Sequence, residues 1–199
     1  SPEELEDLWR ERGDDYFMRE KAEDIAWHTE AIAGHHDRHS PLVLAKHTND
    51  SSVANATQIF IHAQSRSQLF FLVCAALEQL DLSIHDARIY RASGGMTLDT
   101  FFVLDSHGET IEHQPQRTKA IITTLTQALA QPATKVAKAI RRTPRQFKSF
   151  SIATQASITQ DLDKGISILE VISADRPGLL ACLGQVFVEF GIEVQTAKI

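Results

Sequence analysis

The sequence lacks the features that mark disulfide-rich, membrane-spanning or nucleic-acid-binding proteins. Its two cysteines, Cys74 and Cys182, form no CxxC pair, so we expect buried thiols in a reducing compartment. No apolar run approaches the roughly 20 residues that span a bilayer, and residues 1–4 do not resemble a signal peptide. The formal net charge is −6, whereas nucleic-acid binding needs a basic surface. We therefore predict a cytoplasmic protein with neither a membrane nor a nucleic acid as partner.

Charge is distributed unevenly along the chain. Residues 1–30 contain eleven acidic side chains, and residues 131–160 contain six basic side chains and no acidic one. Two interpretations stay open at this stage. Both stretches can be solvated faces, or the acidic stretch can dock on the basic one.

The first third of the chain predicts an α-helical arm. Apolar and small residues recur at helical spacing from Ala22 to Ala33, and Gly34 is a typical helix end. Residues 35–56 are polar and rich in turn formers, which predicts a loop and a domain boundary.

The next hundred residues alternate between strand and helix patterns. Strands are expected over 57–63, 82–90, 98–104 and 150–159. A helix is expected after Ser67, and a second one carries apolar residues from Ile121 to Leu129 before Pro132. The resulting order β-α-β-β-α-β is that of the ferredoxin-like fold. We therefore predict an α+β fold with an antiparallel sheet.

An internal repeat extends this prediction to the end of the chain. Residues 59–89, moved forward by 110 positions, lie on residues 169–199 without a gap and keep the phase of their apolar positions. The second copy stops after its second strand, so a partial βαβ unit is expected. Its unpaired strands should pack on the first copy, pair with another molecule, or be poorly ordered.

The loop between the strand and the helix of the second copy carries the candidate chemistry. Asp175 can cap the helix, Pro177 suits its first turn, and Gly178 permits a close approach of another group. The carboxylate of Asp175 suits an ammonium group, and the backbone amides of Arg176, Gly178 and Leu179 suit a carboxylate. These are the two charged ends of a free amino acid. A well-formed helix start without a ligand is the alternative.

The same residues carry a family resemblance. The run Asp175-Arg176-Pro177-Gly178-Leu179-Leu180 resembles the signature of ACT domains, which are βαββαβ modules that bind amino acids and regulate attached enzymes. The flanking sequences resemble the region containing the tandem ACT domains of bifunctional uridylyltransferase/uridylyl-removing enzymes, which modify the nitrogen regulatory protein PII. These flanks include Gly13-Asp14-Asp15-Tyr16-Phe17, Ile84-His85-Asp86-Ala87-Arg88-Ile89 and Thr97-Leu98-Asp99-Thr100.

This resemblance implies a domain organisation. Residues 1–55 are a helical arm and linker that follows an HD phosphohydrolase region, residues 56–160 are a first ACT domain, and residues 165–199 are half of a second one. The chain contains neither the nucleotidyltransferase motif nor the HD metal set of such enzymes, so it should have no catalytic residues. The parent resembles a Mg-dependent enzyme, and no metal or cofactor is expected in this chain.

The resemblance further implies a regulatory function. Glutamine is the expected effector and PII the expected partner of the parent enzyme, and a homo-oligomer through the sheet or helix edges is a further expectation. The predicted ligand-binding residues are Asp175, Arg176, Pro177, Gly178, Leu179, Leu180 and, from a strand of the first copy, Asp86. The alternative is an assembly module without a ligand, and an independent enzyme is the least favoured reading.

Overall fold

Five helices and seven strands are defined within the part of the chain that the structure describes. The computed structural model describes residues 6, 9–10, 12–37, 40–48, 56–111, 113–131, 153–163 and 165–199. In chain order the elements are α1 (Asp14–Arg19), α2 (Ala22–Gly34), β1 (Leu42–Thr48), β2 (Ala56–Gln64), α3 (Leu69–Gln79), β3 (Leu82–Arg91), β4 (Met96–Asp105), α4 (Pro115–Ala130), β5 (Gln155–Asp161), β6 (Ile166–Ile172), α5 (Leu179–Glu189) and β7 (Thr196–Ala197). A 3₁₀ turn over Ser93–Gly95 joins β3 to β4.

The strands form two antiparallel sheets. The larger sheet has the order β1-β2-β4-β3-β7, and β5 and β6 form a separate two-stranded sheet. Strand β4 lies between β2 and β3, as the third strand of a ferredoxin-like unit does between the first and second. The predicted α+β class with antiparallel sheets is confirmed.

Both faces of the larger sheet are covered, because its strands carry apolar residues in both phases. Ile59 and Ile61 of β2 point to one face and pack with α3 and α4, whereas Phe60 points to the other. The predicted apolar positions of α4 are confirmed, since Ile121 and Leu125 are fully buried in the same core. The helices α1 and α2 cover the opposite face, so the unit has three layers.

The edge of the sheet beside β2 is filled by an unexpected strand. The loop predicted over 35–56 is wrong, because Leu42–Thr48 forms β1 and pairs with β2 in the register Val43↔Ile61. The prediction that residues 150–159 form the fourth strand of this sheet is also wrong. Residues Gln155–Asp161 pair with β6 instead. In both repeats, therefore, the strand before the helix belongs to a local β-hairpin, which closes with less loss of chain entropy than a distant pairing.

The second repeat has the predicted strand–helix–strand shape. Helix α5 begins and ends 110 positions after α3 at both ends. Its last strand is shorter than the predicted 192–199, and it pairs with β3 in the register Ile89↔Ala197. Of the three outcomes expected for the half-copy, packing on the first copy is the one observed.

The helical arm is held on the sheet by partly buried polar contacts. Lys46 Nζ lies 2.6 Å from Asp24 Oδ1, and Arg88 Nη1 lies 3.1 Å from Glu20 Oε2. The apolar stripe predicted for α2 includes neither Asp24 nor Glu20, yet both acidic side chains are buried. Most of the basic stretch proposed as a docking partner lies outside the described residues. Within the described part, these two acids pair with β1 and β3.

His28 of α2 lies at the centre of this interface. It is fully buried, stacks on the ring of Phe60 at 3.9 Å between centroids, and shares a 2.8 Å hydrogen bond between its Nδ1 and the Tyr16 hydroxyl. Burial is the main cause that lowers the pKa of His28 to about 3, so its ring is neutral at physiological pH.

We predict that Tyr16→Phe loosens the arm. The substitution removes the hydroxyl from a buried hydrogen bond and leaves His28 Nδ1 without that partner, at a cost of about 1–3 kcal/mol in unfolding free energy. Thermal unfolding and hydrogen exchange of α1 and α2 measure the loss. Met18→Ala, at an 83% exposed position on the same helix, is the control and should change stability little. Equal effects of the two substitutions would contradict the assignment.

A carboxyl group is buried on the face of the sheet that packs against α3 and α4. Asp99 of β4 is 2% exposed and accepts a hydrogen bond from the Thr97 hydroxyl. Burial raises its pKa to about 7, while the hydrogen bond from Thr97 acts in the other direction. Because the pKa in the folded state exceeds the unfolded value of about 3.9, the folded chain retains a proton that the unfolded chain loses.

The stability of the fold should therefore fall between about pH 4 and pH 7 through Asp99, by on the order of a few kcal/mol. Asp99→Asn should remove this pH-dependent contribution to stability. The unfolding free energy of the variant should therefore increase relative to that of the wild type as the pH rises. Denaturant unfolding of both proteins across this range tests the prediction. The difference between them separates Asp99 from His28, whose contribution has the opposite sign. A difference independent of pH would show that Asp99 ionises as in water.

Candidate functional site at the junction of the repeats

The loop that leads into α5 is closed by its own backbone. Gly178 has φ of +77°, in the left-handed region, and is the residue before the helix. The Leu179 amide donates to the Arg176 carbonyl at 3.1 Å, and the Cys182 amide donates to the Gly178 carbonyl at 2.9 Å. No side chain caps α5. The predicted cap by Asp175 is therefore wrong, because the chain enters the helix through a glycine turn three residues later.

The structure separates the predicted loop residues into two groups. Asp175, Arg176 and Pro177 are exposed, whereas the three residues from Gly178 onwards are half-buried. Pro177 lies in the turn before α5 and not in its first turn as predicted, because the helix begins only after the left-handed Gly178. Leu180 packs against the core of the first repeat. One of the three amides expected to bind a carboxylate, that of Leu179, already donates within the loop.

The first repeat supplies a carboxylate to this loop. A methyl group at Gly178 would lie 2.6 Å from Oε1 and 2.8 Å from Oε2 of Glu78, so only glycine fits without displacing that side chain. Glu78 is the penultimate residue of α3 and only 9% exposed. The close approach predicted at Gly178 is therefore present, and the approaching group is an acidic side chain of the other repeat. The residue pattern gave no signal for Glu78.

Asp86 does not lie beside the loop. Its Oδ2 is 3.6 Å from Arg88 Nε, and Arg88 in turn pairs with Glu20 of the arm, so Asp86 belongs to the arm side of the sheet. The loop and α3 lie on the other side. A register shift between Ile84 and Asp86 causes this placement, because the extra residue of a β-bulge reverses the alternation of faces. The change of apolar phase from Ile84 to Ala87 is the signal of this bulge in the sequence.

The two repeats face each other with antiparallel helices. The start of α5 lies at the end of α3, and farther along Phe187 packs on Phe70 with 6.1 Å between ring centroids. Between these points a methyl group at Gly184 would lie 2.8 Å from Phe71 Cα, so the helix backbones approach closely there. An ion pair between Arg91 and Glu193 links the strand ends. The contact resembles the isologous interface of a two-fold dimer, formed here within one chain.

The sequence of this chain is similar to those of several known proteins. The family described as "Uridylyltransferase GlnD fifth domain" matches residues 1–31. The chain is 46% identical over 198 residues to the bifunctional uridylyltransferase/uridylyl-removing enzymes of Azotobacter vinelandii (strain DJ) and Pseudomonas putida (strain GB-1), and 44% identical to that of Pseudomonas fluorescens (strain SBW25). In all three cases the alignment covers 100% of this chain and 22% of the relative. No solved structure matches the chain.

The resemblance to bifunctional uridylyltransferase/uridylyl-removing enzymes is therefore confirmed. The chain corresponds over its whole length to the C-terminal region of bifunctional uridylyltransferase/uridylyl-removing enzymes, and it spans about a fifth of their length. In the described part of the chain, no helix has both the length and the apolarity that crossing a bilayer requires. Among the same residues, no three His, Cys, Asp or Glu side chains come together in a way that could hold a metal ion.

We predict that Gly184→Ala destabilises the junction. The added methyl group meets the backbone of Phe71, which cannot rotate away, and such overpacking costs about 1–3 kcal/mol. Gly34→Ala is the matched control, because it is also a helical glycine and a methyl group there meets nothing within 4 Å. Thermal unfolding and hydrogen exchange of α5 measure both variants. Unchanged exchange in α5 of the Gly184 variant would show that the helices are not in close contact.

Proposed function

We propose that this chain is the amino-acid-sensing regulatory region of a bifunctional uridylyltransferase/uridylyl-removing enzyme. In this proposal its two repeats are a complete and a partial ACT domain, glutamine is the effector, and the parent enzyme modifies PII. The chain itself is not catalytic and needs no cofactor, and a Mg-dependent reaction belongs to other domains of the parent.

The position of the loop before α5 is the observation that carries the proposal. It presents Asp175 to solvent beside a helix start, and it lies against the end of α3 from the other repeat. An amino acid bound there would contact both repeats at once. Binding would therefore change how the repeats pack, which is what a regulatory signal requires.

The arm contacts the sheet, and the sheet contacts the second repeat. Its partly buried pairs, Asp24 with Lys46 and Glu20 with Arg88, join the arm to strands β1 and β3. Strand β3 also pairs with β7 of the second repeat. A movement of the second repeat relative to the first would therefore act on β3, the strand to which the arm is attached through Arg88.

An assembly module is the second candidate function. The hairpin of β5 and β6 exposes apolar side chains, among them Ile158 and Ile172 at 70% and 55% exposure. Such a surface suits contact with another protein segment. The two candidates differ in one respect that can be measured, because only the sensor needs a small ligand.

Calorimetric titration with L-glutamine tests the sensor. We expect measurable heat, and at a hundredfold excess over the dissociation constant a stabilisation of about 2.7 kcal/mol. L-Glutamate and D-glutamine should bind more weakly. Asp175→Asn should weaken glutamine binding about tenfold or more, because it removes the charge that pairs with the ammonium group. Asp163→Asn, in the exposed turn after β5, is the control. No heat and no stabilisation at millimolar glutamine would favour assembly.

A further inference from the structure

The acidic side chain at the end of α3 is in an unfavourable position for its own helix. Glu78 lies in the last turn of α3, where the helix dipole is negative and a carboxylate is destabilising. It is also more than nine-tenths buried, which is rare for a glutamate. The repeat gives no packing reason for a carboxylate here, since the counterpart 110 positions later is Val188.

The neighbouring repeat accounts for this position. Because α3 and α5 are antiparallel, the negative end of α3 lies beside the positive end of α5, and the Glu78 carboxylate points at Gly178, the residue before α5. A carboxylate beside a helix N-terminus is stabilised by the helix dipole. Glu78 therefore occupies the kind of position that the carboxylate of a free amino acid would take.

We propose that Glu78 is an internal occupant of the amino-acid site in the second repeat, and that a free amino acid binds there by displacing it. This inference rests on the proposed sensing function and adds how the site is regulated. Two carboxylates in contact at one helix start repel each other in a partly buried site, so the two occupants exclude one another. The site is then closed by the first repeat when ligand is scarce.

Displacement couples ligand binding to the junction between the repeats. With Glu78 in place, the end of α3 is held against the loop before α5. A bound amino acid moves that side chain away and leaves the α3 end without this contact. The apparent affinity of the ligand is lowered by the fraction of molecules in which Glu78 fills the site.

Substitution of Glu78 in the full chain tests the proposal, with L-glutamine as the probe. Glu78→Gln keeps the side-chain shape and removes the charge that competes with the ligand. If Glu78 fills the site nine-tenths of the time, the variant should bind L-glutamine roughly tenfold more tightly than the wild type. Glu189→Gln, at an exposed position on α5, is the matched control and should leave the affinity for L-glutamine unchanged.

The other outcomes separate this proposal from the proposed function. If the wild type binds L-glutamine and Glu78→Gln binds it equally or more weakly, Glu78 is not a competitor, and the sensing function stands without it. If neither binds, both proposals are overturned, because the vacated site takes no ligand. Glu78→Ala, which also removes the bulk of the side chain, should bind at least as tightly as Glu78→Gln. Circular dichroism confirms that each variant is folded.

Discussion

The close approach of α3 and α5 is the constraint on which the junction of the repeats depends. The helices touch through Gly184 and the backbone of Phe71, and this spacing brings the start of one helix to the end of the other. Only then can β7 reach β3 and extend the sheet. The same spacing presses Glu78 against Gly178, where any side chain would collide with the carboxylate. Two glycines on the second repeat therefore determine how closely a charged group of the first can approach.

The sheet separates two kinds of interface. On one face, helices of both repeats pack through apolar side chains, and the buried carboxyl of Asp99 is kept protonated over much of the acidic range. On the other face, the arm packs through aromatic rings and through charged pairs whose acidic side chains are buried. Apolar contacts tolerate small sliding movements, whereas buried pairs fix register and orientation.

The periodicity of the sequence predicted where helices and strands occur better than it predicted which strands pair with each other. The 110-residue offset fixed both ends of α5, because two segments with the same apolar phase bury the same stripe. It could not show that residues 155–161 pair with β6, since pairing depends on which edge is nearest in space. Alternation by itself does not predict the burial of Asp99, which follows the buried Leu98 and would be exposed in a sheet covered on one face only. Both are buried because both faces are covered. Gly178 was identified for the right reason, although the group that approaches it was not.

Strand β1 has a consequence for mechanical load on the molecule. It follows the arm directly in the chain, and it lies antiparallel to β2 along its whole length, so its hydrogen bonds run across the direction of the strands. A pull on α2 along the strand axis would load all of these bonds together in shear, whereas a pull away from the sheet would open them one at a time. Tension from a domain before the arm would therefore be resisted strongly in one direction and weakly in the other.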